Sequence, residues 1–417
     1  MLFIYRILIN FVFLISPIII IIRLIKRKES FSRFKEKFCF FTERKKSGEL
    51  IWFHGASVGE LQSVIPLIEK LEKNRRIKQI LITSNTLSSS QVIKKIQSKK
   101  VIHQFFPVDT NFLSKKFLNY WKPSFVFFID SEIWPNMIMN LDKRNIPITL
   151  LNGRITTKTL KKWKLISTFS EKIFSKFALC LSSSRTSKIH LKKLGVKNVK
   201  LFGNLKFSQS ENEIIKMDSN LKKFLKSKKT WCAASTHNKE EIFCGLVHKE
   251  LKKKYKNLLT IIIPRHVHRV ENINEDLTKL NLKVQNHEPR KKIDQDIDIY
   301  IVNSYGKTKS FYSNCENIFL GGSLIDHGGQ NPLEAARYGC NILHGPNVSN
   351  FKEIYEFLKN DNISVSINTQ KNMIYTLNKF FTKNSNSKKI QKKLNYLGKK
   401  ILDKTFAEIN LLLKYEN

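Results

Sequence analysis

From Leu50 onward, short uninterrupted apolar runs alternate with segments of helical periodicity. Such runs predict strands that are buried on both faces, and strands alternating with helices are typical of a parallel sheet covered by helices. A first series of runs lies at 50–57, 79–86, 101–108, 124–130, 147–153, 178–184 and 199–204, and a second lies at 230–236, 258–266, 298–304, 317–324 and 341–346. The pattern therefore predicts an α/β chain with two parallel sheets.

A polar, charged stretch without strand pattern, residues 208–229, separates the two series and is predicted to be a linker. Residues 29–207 then form an N-terminal Rossmann-like domain, and residues 230–417 form a C-terminal one. Residues 383–404 are rich in Lys, Asn and Ser and predict a basic surface helix. We expect the last helix of the chain to pack back on the N-terminal domain.

The N-terminal residues follow a different pattern. Residues 7–22 are sixteen consecutive uncharged residues between Arg6 and Arg23. As a helix they would be about 24 Å long, slightly short of a hydrocarbon core of roughly 30 Å, and apolar flanking residues make a span feasible. Residues 23–46 carry ten Lys and Arg against three Glu. The pattern predicts a membrane anchor helix over residues 1–28, with the rest of the chain on the cytoplasmic side.

Within the basic stretch, four phenylalanines recur at helical spacing with Lys and Arg between them, namely Phe31, Phe34, Phe38 and Phe41. Over residues 29–46 this spacing favours a basic amphipathic helix that lies on an anionic membrane surface. A helix whose Phe stripe packs on the protein itself would have the same spacing. Both interpretations stay open.

The chain of 417 residues carries 74 Lys and Arg against 34 Asp and Glu, a formal net charge of +40. This charge attracts phosphates, anionic lipid and nucleic acid. No nucleic-acid partner is predicted, because neither an RNP1 motif nor a helix-turn-helix is recognisable. The six cysteines lack CxxC spacing, which indicates reduced, buried thiols, and the pair His266 and His268 has no acidic or Cys partner nearby. We predict neither a metal nor a cofactor.

Candidate chemistry is expected after strands, because ligands in open α/β sheets bind beyond the carboxyl ends of the strands. The first junction, HGASVGE, places Glu60 in the first turn of a helix, where an ionised carboxylate is favoured and can serve as a general base. A capping box between Glu60 and Ser57 would explain the same residues. The junction IDSEIWPN carries Asp130 and Glu132, which either act on a substrate or form a cap and a salt bridge. GNLKF carries Lys206 where the two halves join.

The second half contains two candidate motifs. In IIIPRH, Pro264 and Arg265 end a strand, and Arg suits bidentate contact with phosphate. In FLGGSLIDHGGQNPLEAA, a Gly-rich loop leads into a helix predicted to begin at Asn331 and Pro332. Glycines allow close approach of the backbone, the free N–H groups of a helix start favour an anion, and Glu334 is placed to bind ribose hydroxyls. These features indicate a nucleotide-phosphate site, although Gly-rich turns also serve purely structural ends.

Taken in order, the motifs HGASVGE, DSEIWPN, GNLKF, ASTH, PRH and GGSLIDHGGQNPLEAA resemble those of the 3-deoxy-D-manno-octulosonic acid (Kdo) transferase family, over essentially the whole chain. The resemblance implies the GT-B fold, in which two Rossmann-like domains face each other across a cleft. It also implies transfer of Kdo from CMP-Kdo to the lipid A precursor (lipid IVA) in lipopolysaccharide biosynthesis. The reaction would need no metal ion and would take place at the cytoplasmic face of the inner membrane.

By the same resemblance, Glu60 is the general base that deprotonates the acceptor hydroxyl, and Asp130 and Lys206 stabilise the transition state. The residues that match the CMP-binding motifs are Pro264, Arg265, Tyr305, Gly306, Lys307, Asn331, Pro332, Leu333 and Glu334. Two positions depart from the family pattern. Asp130 stands where the family usually has the first Glu of E-T-E, and Lys307 replaces the acid of D-T-x-G-E-L. Backbone contacts to CMP from residues 305–307 can persist, whereas a carboxylate contact cannot.

Two alternative functions remain: another GT-B transferase with a UDP-sugar donor, and a transferase-like scaffold without activity. A membrane-tethered nucleic-acid-binding protein, which the charge alone would allow, is opposed by the lack of a recognisable nucleic-acid-binding motif. The departures at Asp130 and Lys307 favour the scaffold, and the retained Glu60, Arg265 and Glu334 oppose it. The expected partners are CMP-Kdo, the lipid A precursor and anionic inner-membrane lipid. No oligomeric state is predicted.

Overall fold

The computed structural model describes residues 1–209, 217–288, 293–382 and 387–415, which form two compact units. The first unit comprises Met1–Gln209 together with the described residues from Leu397 onward. The second unit comprises the described residues between Gln209 and Leu397. Each unit contains one seven-stranded sheet, and every strand pair in both sheets is parallel. The predicted fold class, α/β with two Rossmann-like parts, is therefore confirmed.

The sheet of the first unit has the strand order β3-β2-β1-β4-β5-β6-β7. Its strands are β1 Glu49–His54, β2 Ile77–Ser84, β3 Val101–Phe105, β4 Phe125–Ile129, β5 Ile148–Gly153, β6 Leu179–Ser182 and β7 Val199–Leu201. Its helices are α1 Leu2–Ile25, α2 Val58–Leu71, α3 Leu87–Ile93, α4 Asn111–Trp121, α5 Pro135–Asp142, α6 Thr157–Lys164, α7 Ser167–Phe174 and α8 Arg185–Lys193, with 3-10 helices at Phe34–Phe38 and Leu205–Ser208. Because β1 and β4 are neighbours, the segments that follow them begin side by side at the carboxyl edge of the sheet.

The sheet of the second unit has the order β10-β11-β9-β8-β12-β13-β14. Its strands are β8 Lys229–Thr236, β9 Leu258–Pro264, β10 Val284–Asn286, β11 Ile299–Ile301, β12 Asn317–Leu320, β13 Asn341–His344 and β14 Ser364–Ser366. Its helices are α9 Ser219–Ser227, α10 Glu240–Lys254, α11 Val270–Lys279, α12 Thr308–Tyr312, α13 Leu333–Arg337, α14 Lys352–Asn360 and α15 Gln370–Thr382, with a 3-10 helix at Val267–Arg269, and α16 Ser387–Tyr415 follows. Since β8 lies between β9 and β12, the segments that follow these three strands also begin together.

Aromatic packing makes the first sheet a firm support for its strand ends. Trp52 on β1 is fully buried, and its ring lies 4.9 Å from that of Phe117, 5.8 Å from that of Phe128 and 6.0 Å from that of Phe106. Full burial of an apolar side chain of this size contributes on the order of 1.5–3 kcal/mol. The residues that follow β1 and β4 therefore start from well-fixed positions.

Each predicted strand run overlaps an observed strand, whereas β10 and β14 have only three residues each and produced no recognisable pattern. The predicted linker 208–229 contains helix α9, whose first turn is capped by the Asp218 carboxylate through N–H groups of Asn220 and Leu221, both at 3.0 Å. Residues 210–216 of this linker lie outside the described residues. So do residues 383–386 of the predicted basic helix, and the described remainder of that stretch lies in α16.

The predicted amphipathic helix over residues 29–46 is wrong. The segment forms only the short 3-10 helix Phe34–Phe38, which ends at Cys39 in a left-handed conformation with φ +59°. The phenylalanines do not share one face, since Phe31 is exposed while the ring of Phe41 stacks on that of Tyr120 at 3.9 Å. Part of the stripe therefore packs on the protein, as one of the two interpretations held.

A buried carboxylate in this segment explains its shape. Glu36 accepts hydrogen bonds from Arg33 Nε at 2.6 Å, from Thr42 Oγ1 at 2.7 Å and from the backbone N–H of Phe105 at 2.8 Å. Burial opposes the charged carboxylate, but these bonds together hold the pKa of Glu36 below its usual value. A straight helix cannot bring Glu36 to the end of β3 and to Thr42 at once, so the chain folds along the sheet edge instead.

Candidate active site

Glu60 lies in the first turn of α2, directly after β1, as predicted. Ser57 caps the helix: its Oγ accepts the N–H of Glu60 at 3.4 Å, and its hydroxyl donates to Glu60 Oε1 at 2.8 Å. The other oxygen, Oε2, accepts the N–H of Ala56 at 2.7 Å. The Ser57 half of the capping box considered as an alternative is therefore present, while the Glu60 side chain accepts the N–H of Ala56 instead of that of Ser57. This arrangement leaves acceptor capacity on both carboxylate oxygens, because each oxygen has about two lone-pair sites.

The surroundings of Glu60 adjust its acidity. Burial raises the pKa of Glu60 to about 7, and the negative charges of Glu132 and Asp130 act in the same direction. The hydrogen bonds from Ser57 and Ala56 oppose this rise but do not cancel it. A carboxylate that exchanges its proton near neutral pH is suited to general acid–base catalysis.

Asp130 follows β4 and forms an ion pair with Lys206. Its Oδ2 accepts a hydrogen bond from Lys206 Nζ at 2.8 Å, and its Oδ1 accepts one from the side-chain amide of Asn152. Asn152 in turn accepts the N–H of Leu205 at 2.9 Å, at the start of the 3-10 helix that carries Lys206. The structure thus brings Asp130 and Lys206 together and adds Asn152, which sequence analysis missed.

Both Asp130 and Asn152 adopt left-handed backbone conformations, with φ +56° and +54°. Residues other than glycine rarely adopt this region, and where they do they often belong to functional sites. The turn after β4 also fixes the backbone of Asp130, whose N–H donates to Leu151 O and whose carbonyl accepts the N–H of Arg154, both at 2.9 Å. The Asp130 carboxylate is therefore held in one orientation.

Glu132, the second acid of the same turn, binds aromatic partners. Its Oε2 accepts the indole N–H of Trp134 at 2.9 Å and lies 3.2 Å from Nε2 of His54. The other ring nitrogen of His54 lies 2.9 Å from Thr83 Oγ1 on β2. This chain of contacts fixes the Glu132 carboxylate beside Glu60 and keeps a second negative charge in the site.

In the second unit, a buried glutamate organises the Gly-rich loop. Glu240, the first residue of α10, accepts the N–H groups of Gly322 at 2.7 Å, Ser323 at 3.1 Å and Leu324 at 3.0 Å. It also accepts the N–H of His237 at 2.9 Å, so it joins the segments that follow β8 and β12. Three N–H groups of the Gly-rich loop are therefore occupied by a protein carboxylate. Sequence analysis did not identify Glu240.

Arg265 and a group of histidines lie at the carboxyl edge of the second sheet. The backbone N–H of Arg265 donates to Thr236 O at 3.0 Å, and its side chain is exposed. The ring of His237 lies 4.3 Å from that of His327 and 5.9 Å from that of His266. Burial and the neighbouring charge of His327 lower the pKa of His237. Its Nε2 is buried and has no hydrogen-bond partner among the described residues.

The remaining predicted CMP-binding residues differ in accessibility. Tyr305 is 71% exposed and Gly306, at φ +80°, has open space beside its Cα. Helix α13 begins at Leu333, slightly later than predicted, and Asn331 Oδ1 accepts the N–H of Leu333 at 3.1 Å. The side chains of Pro332 and Leu333 are buried, so only their backbone atoms can contact a ligand.

All six cysteines are free and buried, in agreement with the expected reduced thiols. Burial raises the pKa of Cys39 and of Cys315 to about 12, which keeps these thiols protonated and unreactive. Among the described residues, no three His, Cys, Asp or Glu side chains are grouped so that they could hold a metal ion.

Comparisons with known proteins agree with the motifs. The family model for 3-deoxy-D-manno-octulosonic-acid transferase (kdotransferase) matches residues 32–209. A 3-deoxy-D-manno-octulosonic acid transferase of Rickettsia bellii is 33% identical over 377 residues, which are 88% of this chain and 88% of that protein. The transferase of the same description from Haemophilus influenzae is 30% identical over 312 residues, 74% of this chain and 73% of that protein.

Among solved structures, the UDP-GlcNAc 2-epimerase of Neisseria meningitidis bound to UDP-GlcNAc has a TM-score of 0.58. It covers 87% of this chain and 99% of its own, at 15% sequence identity, which shows a shared GT-B-like fold and no more. The assignment of the family comes from the curated relatives, which match most of this chain at 30% identity or more. The chain belongs to the Kdo transferase family of glycosyltransferases.

Proposed function

We propose that this chain transfers Kdo from CMP-Kdo to a hydroxyl of the lipid A precursor, lipid IVA, in lipopolysaccharide biosynthesis. The observation that carries the proposal is the group at the carboxyl edge of the first sheet, where Glu60 stands near the ion pair of Asp130 and Lys206. The descriptions of the relatives as Kdo transferases support the same reaction.

The reaction breaks the bond between C2 of Kdo and a phosphate oxygen of the donor, and CMP leaves with the electron pair. The sugar passes through an oxocarbenium-like state, and the acceptor hydroxyl forms the new bond to C2 on the opposite face. The hydroxyl proton must go to a base, and the departing phosphate must be neutralised by positive charge. The enzyme therefore needs one carboxylate towards the acceptor and cations towards the donor.

We assign the base to Glu60. Its pKa of about 7 means that a large fraction is ionised at neutral pH while the carboxylate still binds a proton well. The two bonds from Ser57 and Ala56 fix its orientation and leave lone pairs for a hydroxyl. The helix start at which it lies provides a rigid mount, as accurate positioning of a base requires.

We assign to Lys206 the neutralisation of the donor phosphate or carboxylate, and to Asp130 the orientation of Lys206. The ammonium group is held at 2.8 Å from Asp130, so its charge is in place before the reaction starts. The side chain of Asp130 is one methylene shorter than the usual glutamate of the family, yet it reaches both Lys206 and Asn152. This complete ion pair supports an active enzyme over a scaffold.

We assign CMP-Kdo binding to residues of the second unit. Arg265 would contact the phosphate, because its side chain is exposed and its backbone is fixed by the hydrogen bond to Thr236. Backbone groups of residues 305–307 and residues 331–334 would bind the donor as well. Lys307, a cation in place of the family's acid, would add a phosphate contact rather than a carboxylate one. These cations account for donor binding without a metal ion.

We place the reaction at the cytoplasmic face of the inner membrane. The apolar helix α1 is, by length and composition, able to cross a membrane, and the basic residues that follow it suit anionic lipid. A lipid acceptor is expected to be reached at such a surface. The net charge of +40 then attracts negatively charged lipid and substrates, and nucleic acid is not an expected partner.

The test is to incubate the purified full chain with CMP-Kdo and lipid IVA and to weigh the lipid product by mass spectrometry. A mass increase of one or more Kdo residues is expected with CMP-Kdo and not with a UDP-sugar. A binding assay in which CMP and UDP compete distinguishes the two donors: preference for CMP supports CMP-Kdo, and preference for UDP supports the alternative of a UDP-sugar transferase. CMP binding without any transfer would point to the scaffold and overturn the proposal.

A further inference from the structure

One face of helix α1 is covered by the first unit along its whole length. The side chains on this face are buried or half-buried and follow the helical repeat, namely Leu2, Tyr5, Arg6, Ile9, Phe13, Ser16, Ile20 and Leu24. This spacing places them on one side of the helix. Leu2, Tyr5 and Phe13 pack against the hydrophobic core of the first unit. The helix therefore lies lengthwise on the domain rather than projecting from it.

Hydrogen bonds tie the beginning of α1 to the domain. The hydroxyl of Tyr5 donates to Asp109 Oδ2 at 2.8 Å, and Arg6 Nε donates to Asn136 Oδ1 at 3.0 Å. Asp109 is fully buried and also accepts the N–H groups of Asn136 and Met137, at 2.9 and 2.8 Å. The first turns of α1 are thus joined to the start of α5, the helix that follows Asp130 and Glu132.

The middle and the end of α1 are tied as well. The ring of Phe13 lies 5.9 Å from that of Phe38 in the 3-10 helix. Arg23 Nε donates to Glu29 at 2.7 Å, and Glu29 also accepts from Lys37 at 2.5 Å. From Tyr5 to Arg23 the helix is about 27 Å long, close to the thickness of a hydrocarbon core. A helix that crossed the bilayer would carry one of these ends to the far side, away from the domain that both ends contact.

The opposite face of α1 is apolar and uncovered from end to end. Phe3 is 74% exposed near the start, Leu14 is 73% exposed in the middle and Ile25 is 76% exposed at the end. Asn10 is exposed on the same helix. In a crossing helix its amide would lie in hydrocarbon without a hydrogen-bond partner, whereas at the interface it can reach headgroups and water.

The domain also exposes apolar side chains that are close in the sequence to residues in contact with α1. Phe112 follows Asn111, which accepts a hydrogen bond from Arg6 at 3.4 Å, and in the chain Leu165 precedes Phe169, whose ring is 6.4 Å from that of Tyr5. Exposed basic side chains close to these residues in the chain are Lys26, Arg27, Lys28, Lys115, Lys116, Lys161, Lys162 and Lys164. Exposed apolar side chains with exposed cations near them in the chain are complementary to a bilayer that contains anionic headgroups.

We propose that α1 lies flat in one leaflet of the membrane, as an interfacial helix docked on the first unit, and does not cross the bilayer. The outer face of α1 with Phe112 and Leu165 forms the membrane-contacting surface, and the nearby Lys and Arg residues bind anionic headgroups. Both ends of α1 are then on the same side as the catalytic residues. This arrangement rests on the contacts of α1 and holds whichever lipid the enzyme uses as acceptor.

The test measures the depth of three positions on the uncovered face. Phe3→Cys, Leu14→Cys and Ile25→Cys are each labelled with a nitroxide in the full chain, reconstituted into vesicles of phosphatidylethanolamine and phosphatidylglycerol. The six native cysteines are buried, so they should not react, and the unsubstituted chain controls for this. Accessibility to oxygen and to a water-soluble relaxant then gives the depth of each label. Lys256→Cys, exposed in the second unit, provides the aqueous reference.

A flat helix places all three labels at similar depths, on the order of 5–10 Å below the headgroups. A crossing helix places Leu14→Cys near the midplane, about 15 Å deep, and the other two at opposite interfaces, which would overturn the proposal. Labels that stay as water-accessible as the Lys256→Cys reference would also overturn it, as would broadening of the signals by contact between two copies of the chain. Weaker binding to vesicles of phosphatidylcholine alone is expected, because these vesicles lack anionic headgroups for the nearby Lys and Arg residues.

Discussion

Two helices of this chain carry a glutamate in the first turn after a strand, and the two glutamates differ in what they do. Glu60 is in the first turn of α2 after β1, and Glu240 is the first residue of α10 after β8. Glu240 is 1% exposed and accepts four backbone N–H groups, which occupy about all the lone-pair sites of its carboxylate. Glu60 accepts one N–H and one hydroxyl and remains partly accessible. The number of donors, rather than the position in the helix, separates a reactive carboxylate from a structural one.

The neighbours of the two carboxylates sharpen the difference. Glu60 lies among acids, and Glu132 and Asp130 favour its protonated form. Glu240 lies among backbone N–H groups, four of which donate hydrogen bonds to its carboxylate. The same residue type at the same kind of helix start is therefore suited to proton transfer in one unit and to holding two loops in the other.

The largest effect is expected from Glu60→Gln. The amide oxygen can still accept the N–H of Ala56, so the fold should remain, but the side chain can no longer take a proton. We expect transfer to fall by on the order of 10²–10⁴-fold, the usual contribution of a general base. The measurement is the initial rate of Kdo transfer, accompanied by CMP affinity, which should stay close to that of the unsubstituted chain.

Glu240→Gln is the matched control for this substitution, since it makes the same chemical change at the other helix start. The comparison fails if the two variants lose kcat to the same degree, or if Glu60→Gln transfers Kdo at a near-normal rate. In the second case Glu60 is only a cap.

A smaller loss is expected from Lys206→Met, which removes the cation and leaves Asp130 with Asn152 as its partner. We expect kcat to fall by roughly 10–100-fold, because one preorganised charge on the leaving phosphate is lost. Lys200→Met is the control, since Lys200 is a more exposed lysine that pairs with Glu408 at 2.5 Å. Equal activity of the two variants would show that Lys206 does not stabilise the transition state.

Glu240→Gln itself should act on stability and on donor binding rather than on the chemical step. An amide replaces one oxygen and leaves two of the four N–H groups without an acceptor, at a cost on the order of 1–3 kcal/mol for each. We expect a lower urea midpoint and a several-fold higher KM for CMP-Kdo, with kcat at saturating donor little changed. Chemical denaturation and steady-state kinetics measure these quantities, and a kcat loss without a KM change would contradict the structural role.

The smallest effect is a shift in the pH profile. Because the pKa of Glu60 is raised to about 7, the base is ionised above that pH, and kcat/KM should rise as pH increases through about 7. Glu132→Gln removes a negative charge that favours protonation of Glu60, so the rise should move to lower pH, while the amide oxygen can still accept from Trp134. Glu69→Gln, an exposed position on the same helix, should leave the profile in place. An unmoved profile in Glu132→Gln would exclude this coupling.

Much of the first site was predictable because it depends on local rules. Apolar runs located β1 and β4, and the carboxyl ends of parallel strands must meet at one edge, so Glu60 and Asp130 were expected there. Asn152 and Glu240 were not found, because their partners lie 53 and 82 residues away in the chain, in Leu205 and Gly322. No periodic pattern marks a polar residue whose role depends on distant N–H groups.

The N-terminal region shows the same limit. The apolar run of α1 is easily recognised in the sequence. The hydrogen bond between Tyr5 and Asp109, which lie 104 residues apart, cannot be recognised there, and this bond attaches the helix to the domain. The Phe spacing after α1 gave a wrong helix because buried Glu36 binds the end of β3. A single buried acid outweighed the periodicity in the segment after α1, and another buried acid, Asp109, holds α1 on the domain.

The left-handed backbones of Asp130 and Asn152 have an evolutionary consequence. Glycine would avoid the backbone strain at either position, but it would also remove the hydrogen bonds that these side chains make. Asn152→Gly takes the partner from the N–H of buried Leu205 and from one oxygen of Asp130, at a cost on the order of 1–3 kcal/mol for each. Folding and transfer therefore depend on the same two side chains, and a chain that lost its activity should still retain them for the sake of its stability.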